Sequence, residues 1–203
     1  MEGVRVCVLT VSDSCSRGEA EDTAGPQLCQ LVQQDGMVVA ATEILPDCLE
    51  QIRRRLVGWA DSGAADIILT TGGTGFAARD VTPEATQSVL DRPAPGMVAA
   101  MLSGSLAVTP LAALARPAAG IRGSTLILNL PGSKKAAREC YGFVRPALRH
   151  AADLLAGRTN PVRATHATLQ GTECPHSKQA AASPQQVILD LLSSFIATLS
   201  NIV

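Results

Sequence analysis

Four short stretches rich in Val, Ile and Leu lie along the first 130 positions of this 203-residue chain, and amphipathic stretches separate them. Residues 4–11 read as a buried strand that stops at Ser12-Asp13-Ser14. Residues 37–45 read as a second strand, stopping at Pro46-Asp47. Ile67, Ile68 and Leu69 form a continuous apolar run, the pattern of a strand covered on both faces. Residues 125–130 make a fourth strand, ending in Pro131-Gly132. Between these runs the period changes. Gly25-Pro26 opens a helix with Leu28, Leu31 and Val32 on one face and Gly36 as its stop. Leu49, Ile52, Leu56 and Trp59 recur at helical spacing. A third helix runs from Pro83 to about Asp91, residues 97–106 are helical, and 110–114 form a shorter helix. Ser133 caps a long helix reaching Ala156, with Gly157 beyond it, and Pro146 is expected to kink or split that helix.

Strands alternating with helices predict an α/β fold, a mainly parallel sheet flanked by helices. In such folds ligands bind outside the carboxyl ends of the strands. Four pieces fall just after predicted strands: Ser12-Asp13, Asp47, the loop Thr71-Gly72-Gly73-Thr74-Gly75, and Pro131-Gly132-Ser133. Parallel strands would bring them to one edge.

The glycine loop carries the clearest chemistry. Three glycines in five residues let the backbone take positive φ and bring its N–H groups near an anion. Thr82 can cap the next helix, Pro83 suits its first position, and Glu84 suits the positive end of its dipole. Asp80 lies between loop and helix. The loop is neither a P-loop, since no Gly-Lys-Ser/Thr follows Gly75, nor a G-x-G-x-x-G fingerprint. Taken alone it fits both a phosphate cradle and a tight, empty βα turn. Asp47 fits an N-cap of the second helix by position. Paired with Asp80, it fits a Mg²⁺ site for phosphate chemistry. Ser12 and Asp13 suit turn formation as well as ligand contact. Ser133, Lys134, Lys135 and Arg138 put positive charge at a helix N-terminus, where it opposes the dipole. A bound anion would offset that cost, and so would lysines splayed into water.

Composition narrows the field. The chain is 46% apolar but only 2% aromatic, so its core must be built from Ala, Val, Leu and Ile. A formal charge of −1 argues against a nucleic-acid binder that relies on bulk electrostatics. Six cysteines show no C-x-x-C pair, the usage of free thiols in a reducing compartment, and the cytoplasm is the expected location. After Gly157 the pattern changes. Residues 157–186, rich in Ala, Thr, Gln, Ser and Pro, are expected to be linker or disordered tail. Residues 187–203 turn apolar, with Ile188, Leu192, Phe195, Leu199 and Ile202 on one helical face. That C-terminal helix is short for a membrane span and is interrupted by Asp190 and Asn201, so no span is expected.

Many motifs then coincide with one family. Residues 8–15 (VLTVSDSC), 22–25 (DTAG), Pro46-Asp47, 70–76 (TTGGTGF), 79–86 (RDVTPEAT), Pro95-Gly96-Met97, Gly120-Ile121-Arg122 and 129–135 (NLPGSKK) occur in the family's order. Over residues 3–156 the chain resembles the Mog-type molybdopterin adenylyltransferases, a group that includes the N-terminal G domain of gephyrin. The resemblance implies a three-layer subunit, a homotrimer, and Mg²⁺-dependent transfer of AMP from ATP to molybdopterin with release of pyrophosphate. It implies Asp47 and Asp80 as catalytic, metal-assisting carboxylates. It implies nucleotide or molybdopterin contacts by Ser12, Asp13, Thr71, Gly72, Gly73, Thr74, Gly75, Pro131, Gly132, Ser133 and Lys134. Ala77-Ala78 replaces the family's common Ala-Pro and removes a rigid turn residue. The molybdenum-insertion domain of two-domain relatives has no counterpart here and would come from another chain. Two rival readings remain at this point: a non-catalytic trimerising scaffold module, and a generic nucleotide-binding regulator.

Overall fold

A computed structural model describes residues 3–158 together with Val162. All of them belong to one compact unit that ends at Val162. The segments expected as linker (157–186) and apolar helix (187–203) lie outside the described residues, apart from 157, 158 and 162.

The order of elements follows the hydrophobic pattern. Strand β1 (Arg5–Val11) leads through a one-turn helix α1 (Asp13–Ser16) to α2 (Ala24–Gln34), β2 (Val38–Leu45) and α3 (Leu49–Asp61). Strand β3 (Ile67–Thr71) is followed by α4 (Thr82–Gln87), β4 (Arg92–Pro93) and α5 (Pro95–Val108). A 3-10 turn (Pro110–Leu114), β5 (Ala119–Arg122), β6 (Thr125–Leu130) and α6 (Lys134–Leu155) complete the unit. The sheet order is β2-β1-β3-β6-β5-β4. Its first four strands are parallel, and β5 and β4 are added antiparallel at one edge.

Alternation along the strands builds two cores. Val6 and Val8, Ile67 and Leu69, and Leu126 and Leu128 face α2 and α6, meeting Leu28, Val32, Tyr141, Val144 and Leu148. Their neighbours Cys7, Leu9, Ile68 and Ile127 face the other way, onto Ile52, Leu56 and Trp59 of α3 and Ala85 of α4. Helices therefore cover both faces of the sheet, the three-layer arrangement. Among the described residues no helix is long and apolar enough to cross a membrane.

The structure revises several details. Strands β4 and β5 escape the hydrophobic pattern because they are short and carry Pro93 and Gly120. Helix α6 runs unbroken through Pro146. Buried residues on both sides of the proline, from Ala137 to Ala152, offset the lost backbone bond. Asp47 does not cap α3: the residue at that position is Cys48, and it makes no side-chain cap bond. Thr82 does not cap α4 either, because it already lies inside the first turn, preceded by Val81. Ser133 does cap α6, accepting from the Ala136 N–H at 3.2 Å.

Candidate active site

The carboxyl ends of the four parallel strands are stitched together by short bonds. The Ser12 N–H donates to the Leu45 carbonyl at 2.9 Å, joining β1 to β2. The Gly72 N–H donates to the Leu130 carbonyl at 3.2 Å, and the Thr71 hydroxyl to the Pro131 carbonyl at 2.7 Å, joining β3 to β6. The expected convergence therefore holds.

Two acidic residues lock the first of these joints. The Asp13 N–H donates to Asp47 Oδ2 at 3.0 Å, and the Asp47 N–H donates back to Asp13 Oδ1 at 3.1 Å. Arg79 lies 2.6 Å from Asp13 Oδ2 and balances part of the charge. Ser12 is extended, and its hydroxyl oxygen accepts from the Cys15 N–H, capping α1.

The glycine turn closes against this joint. Gly72 has φ +101°, and a Cβ on it would stand 2.1 Å from the Val11 carbonyl oxygen. Gly73 has φ +62°, and a Cβ there would stand 2.4 Å from Thr82 Oγ1 and 2.7 Å from Asp47 Oδ1. Any side chain at Gly73 would fill the space that these two polar groups share. The Thr82 hydroxyl is fully buried and has no hydrogen-bond partner.

Asp80 reaches the same place from the far end of the loop. Its Oδ2 accepts from the Ala77 N–H at 3.1 Å, and its own N–H donates to the Ala77 carbonyl at 2.9 Å. A cleft of about 280 Å³ is lined by both carboxylates, Asp47 and Asp80, with Ser12, Thr71, Gly72, Gly73 and Gly132. Burial, foremost, pushes the Asp47 carboxyl above its ordinary range; the charges of Asp13 and Asp80 add to this, and the Asp13 N–H and Arg79 oppose it. A cation held between the carboxylates would relieve that repulsion.

Not every expected contact meets there. Thr74 and Pro131 line a separate apolar pocket of about 200 Å³ against Met101 and Ala112. Lys134 borders a third cleft with Gln27 and Arg138. Asp13, Gly75 and Ser133 line none of the three. Asp13 instead holds Asp47, Ser133 is occupied by its cap, and Gly75 packs against Asp80.

Three residues at or beside the cleft have roles that the pattern of the sequence does not reveal. Asp22 lines the cleft, accepts from the Thr10 hydroxyl at 2.6 Å and from the Ala24 and Gly25 N–H groups, and so anchors the start of α2. Its position just before the helix was the available signal. Thr82 looks like a cap in the sequence, and the structure buries its hydroxyl behind Gly73 instead. Arg116, 36 positions beyond Asp80, grips the loop from outside, and no motif marks it.

Among the described residues no group of three or more His, Cys, Asp or Glu forms a metal cage. Two carboxylates lining one cleft fit a different kind of site, one for a hard cation whose remaining ligands are phosphate oxygens and water.

Comparison with known proteins gives the family of the chain. Residues 7–150 match the family described as "Probable molybdopterin binding domain". Gephyrin of Dictyostelium discoideum is 46% identical over 160 residues, 74% of this chain and 22% of that protein. Molybdopterin adenylyltransferase of Helicobacter pylori is 38% identical over 159 residues, 77% of this chain and 90% of that protein. The crystal structure of the molybdopterin biosynthesis enzyme MoaB from Thermus thermophilus superposes with a TM-score of 0.73 at 49% identity, covering 76% of this chain and 98% of that one. The chain spans less than a third of the length of two of the curated relatives it matches.

Proposed function

This chain belongs to the molybdopterin-binding domain family, and from that premise we propose that it is a molybdopterin adenylyltransferase of molybdenum cofactor biosynthesis. It transfers AMP from ATP to molybdopterin. The terminal phosphate of the pterin forms a new bond to the α-phosphorus of ATP, the bond to the departing group breaks, and pyrophosphate leaves. One observation carries the reading: Asp47 and Asp80, 33 positions apart, line a single cleft with the glycine turn.

Each part of that cleft has a task in the proposal. The Gly72–Gly73 turn lets the phosphates approach the backbone, because a side chain at either glycine would clash with its surroundings. Behind Gly73, and outside the cleft lining, the Thr82 hydroxyl is a buried donor that the protein itself does not use. Asp47 and Asp80 would hold Mg²⁺. Bound there, the ion neutralises triphosphate charge and polarises the phosphorus under attack. The Asp13 lock keeps Asp47 in place while it is charged.

We infer a homotrimer, in keeping with apolar side chains left exposed on α5 and the turn after it, among them Leu106, Val108 and Leu111. A cytoplasmic site of action accords with unpaired thiols at Cys7, Cys15, Cys29, Cys48 and Cys140.

The test is turnover by the purified chain with ATP, Mg²⁺ and molybdopterin. Adenylyl-molybdopterin and pyrophosphate should form together and require all three additions. A folded trimer that forms neither product would leave the scaffold reading in its place. ATP binding without pterin-dependent product would favour the regulator reading.

A further inference from the structure

The loop that delivers Asp80 is tied to the rest of the site from within by one exposed side chain, that of Arg79 on Asp13. Phe76, Ala77, Ala78 and Arg79 are exposed, Phe76 to 65%. Within the loop, Ala77 and Asp80 bond only to each other, through the two bonds described above. Ala77 and Ala78 are small and flexible compared with a proline-containing turn. Yet a carboxylate that is to meet a charged ligand must be fixed to within a fraction of an ångström.

Arg116 restrains the loop backbone itself, which the Arg79 side chain does not hold. Its Nε donates to the Gly75 carbonyl at 2.8 Å, and its Nη2 donates to the Asp80 carbonyl at 2.6 Å. Its Nη1 pairs with Glu84 in the first turn of α4. Its backbone N–H donates to the Thr74 carbonyl at 2.9 Å. One residue thus ties both ends of the 75–80 loop to the helix that follows it. Arg116 is absent from the lining of the cleft, so it acts from behind the loop. The ion pair in turn holds the Glu84 carboxyl below its ordinary range.

Resting on the adenylyltransferase reading, we propose that Arg116 is a positioning residue for that reaction. It sets the Asp80 carboxylate in the cleft by holding the peptide carbonyls at both ends of the loop, and it touches neither substrate. The planar fork of a guanidinium can serve two carbonyls and a carboxylate at once. The ammonium of a lysine can reproduce only part of that geometry, one carbonyl contact and the charge.

The test compares Arg116→Gln and Arg116→Lys with the unaltered chain, by amide hydrogen exchange and by steady-state kinetics. In Arg116→Gln the Ala77 and Asp80 amides should exchange about 10-fold faster or more, while amides of β1 and β3 keep their protection. The kcat should fall by roughly 10- to 100-fold with the KM for ATP changed by less than about 3-fold, because orientation rather than binding is lost. Arg116→Lys should recover part of the kcat. Unchanged exchange at Ala77 and Asp80 would overturn the proposal. So would a loss confined to KM, or a lysine variant no better than glutamine. Should Arg116→Gln fail to fold, Glu84→Gln removes one arm of the fork and leaves both carbonyl bonds. It should then show a smaller rise in loop exchange, and no rise would count against the clamp. Absence of turnover in the unaltered chain would sink the enzymatic reading, and loop exchange would still decide whether Arg116 holds the loop.

Discussion

Replacing Gly73 with alanine should both destabilise the fold and disable the cleft. Two costs add at this position. The backbone sits at φ +62°, where a Cβ costs about 1–2 kcal/mol. The new methyl would also stand 2.4 Å from Thr82 Oγ1, 2.7 Å from Asp47 Oδ1 and 3.3 Å from Val11 Cγ1. Crowding of that kind adds roughly 1–3 kcal/mol as side chains are forced away. Gly63→Ala is the natural control. Gly63 has nearly the same φ, +67°, but a Cβ there meets nothing within 4 Å. Both substitutions restrict the unfolded chain equally, so that contribution cancels in the difference. Thermal unfolding should therefore place Gly73→Ala below Gly63→Ala by roughly 2–12 °C, taking about 2–4 °C per kcal/mol for a chain of this size. Because Asp47 Oδ1 must retreat, turnover should fall by about 10- to 100-fold in Gly73→Ala, the scale set by an ångström of misplacement. Gly63→Ala should keep its activity. Equal melting temperatures for the two variants, or full turnover in Gly73→Ala, would show that the space around Gly73 is not reserved for Asp47 and Thr82.

Three further outcomes follow from the same geometry. Asp80→Ala should lower kcat by about 10²-fold or more while ATP still binds, as equilibrium binding would report, since the carboxylate serves the developing charge rather than the ground state. Burial raises the Asp47 carboxyl, so its charged form costs stability in full above that raised value; the cost shrinks as pH falls below it and is gone only below the ordinary unfolded value. Asp47→Asn should accordingly melt higher than the unaltered chain at pH 7.5, with the gap closing as pH falls towards about 3.9, and an unaltered chain that melts higher at pH 7.5 would contradict the sign. Asn129 is fully buried, donates to the Thr70 and Thr86 hydroxyls at 2.9 and 2.8 Å, and accepts from the Ala118 N–H. Asn129→Ala should cost about 2–4 kcal/mol in urea unfolding by leaving those groups unpaired, and a loss below about 1 kcal/mol would mean that they find other partners.

The Asn129 network also marks where sequence reading stops. The residue lies in an apolar strand, flanked by Leu128 and Leu130, and its amide looks like an interruption there. Only the packing of α4 against β6 brings Thr86 to it. Arg116 is a comparable case, because its three acceptors are 32–41 positions away.

The order of hydrophobic and polar positions by itself determined the α/β class, the four parallel strands and the major helices. Period and burial are local properties, and each strand or helix must hide its own apolar face. It also placed Asp47 and the glycine turn directly after strands, and the structure brings them with Asp80 to one cleft. Tertiary structure alone decided how those groups are used. It assigned Asp13 to holding Asp47, left the Thr82 hydroxyl buried without a partner beside Gly73, and sent Thr74, Pro131 and Lys134 to neighbouring pockets. The physical reason is that hydrogen bonds and charge pairs depend on ångström-scale distances between segments remote in the chain, which no local period encodes.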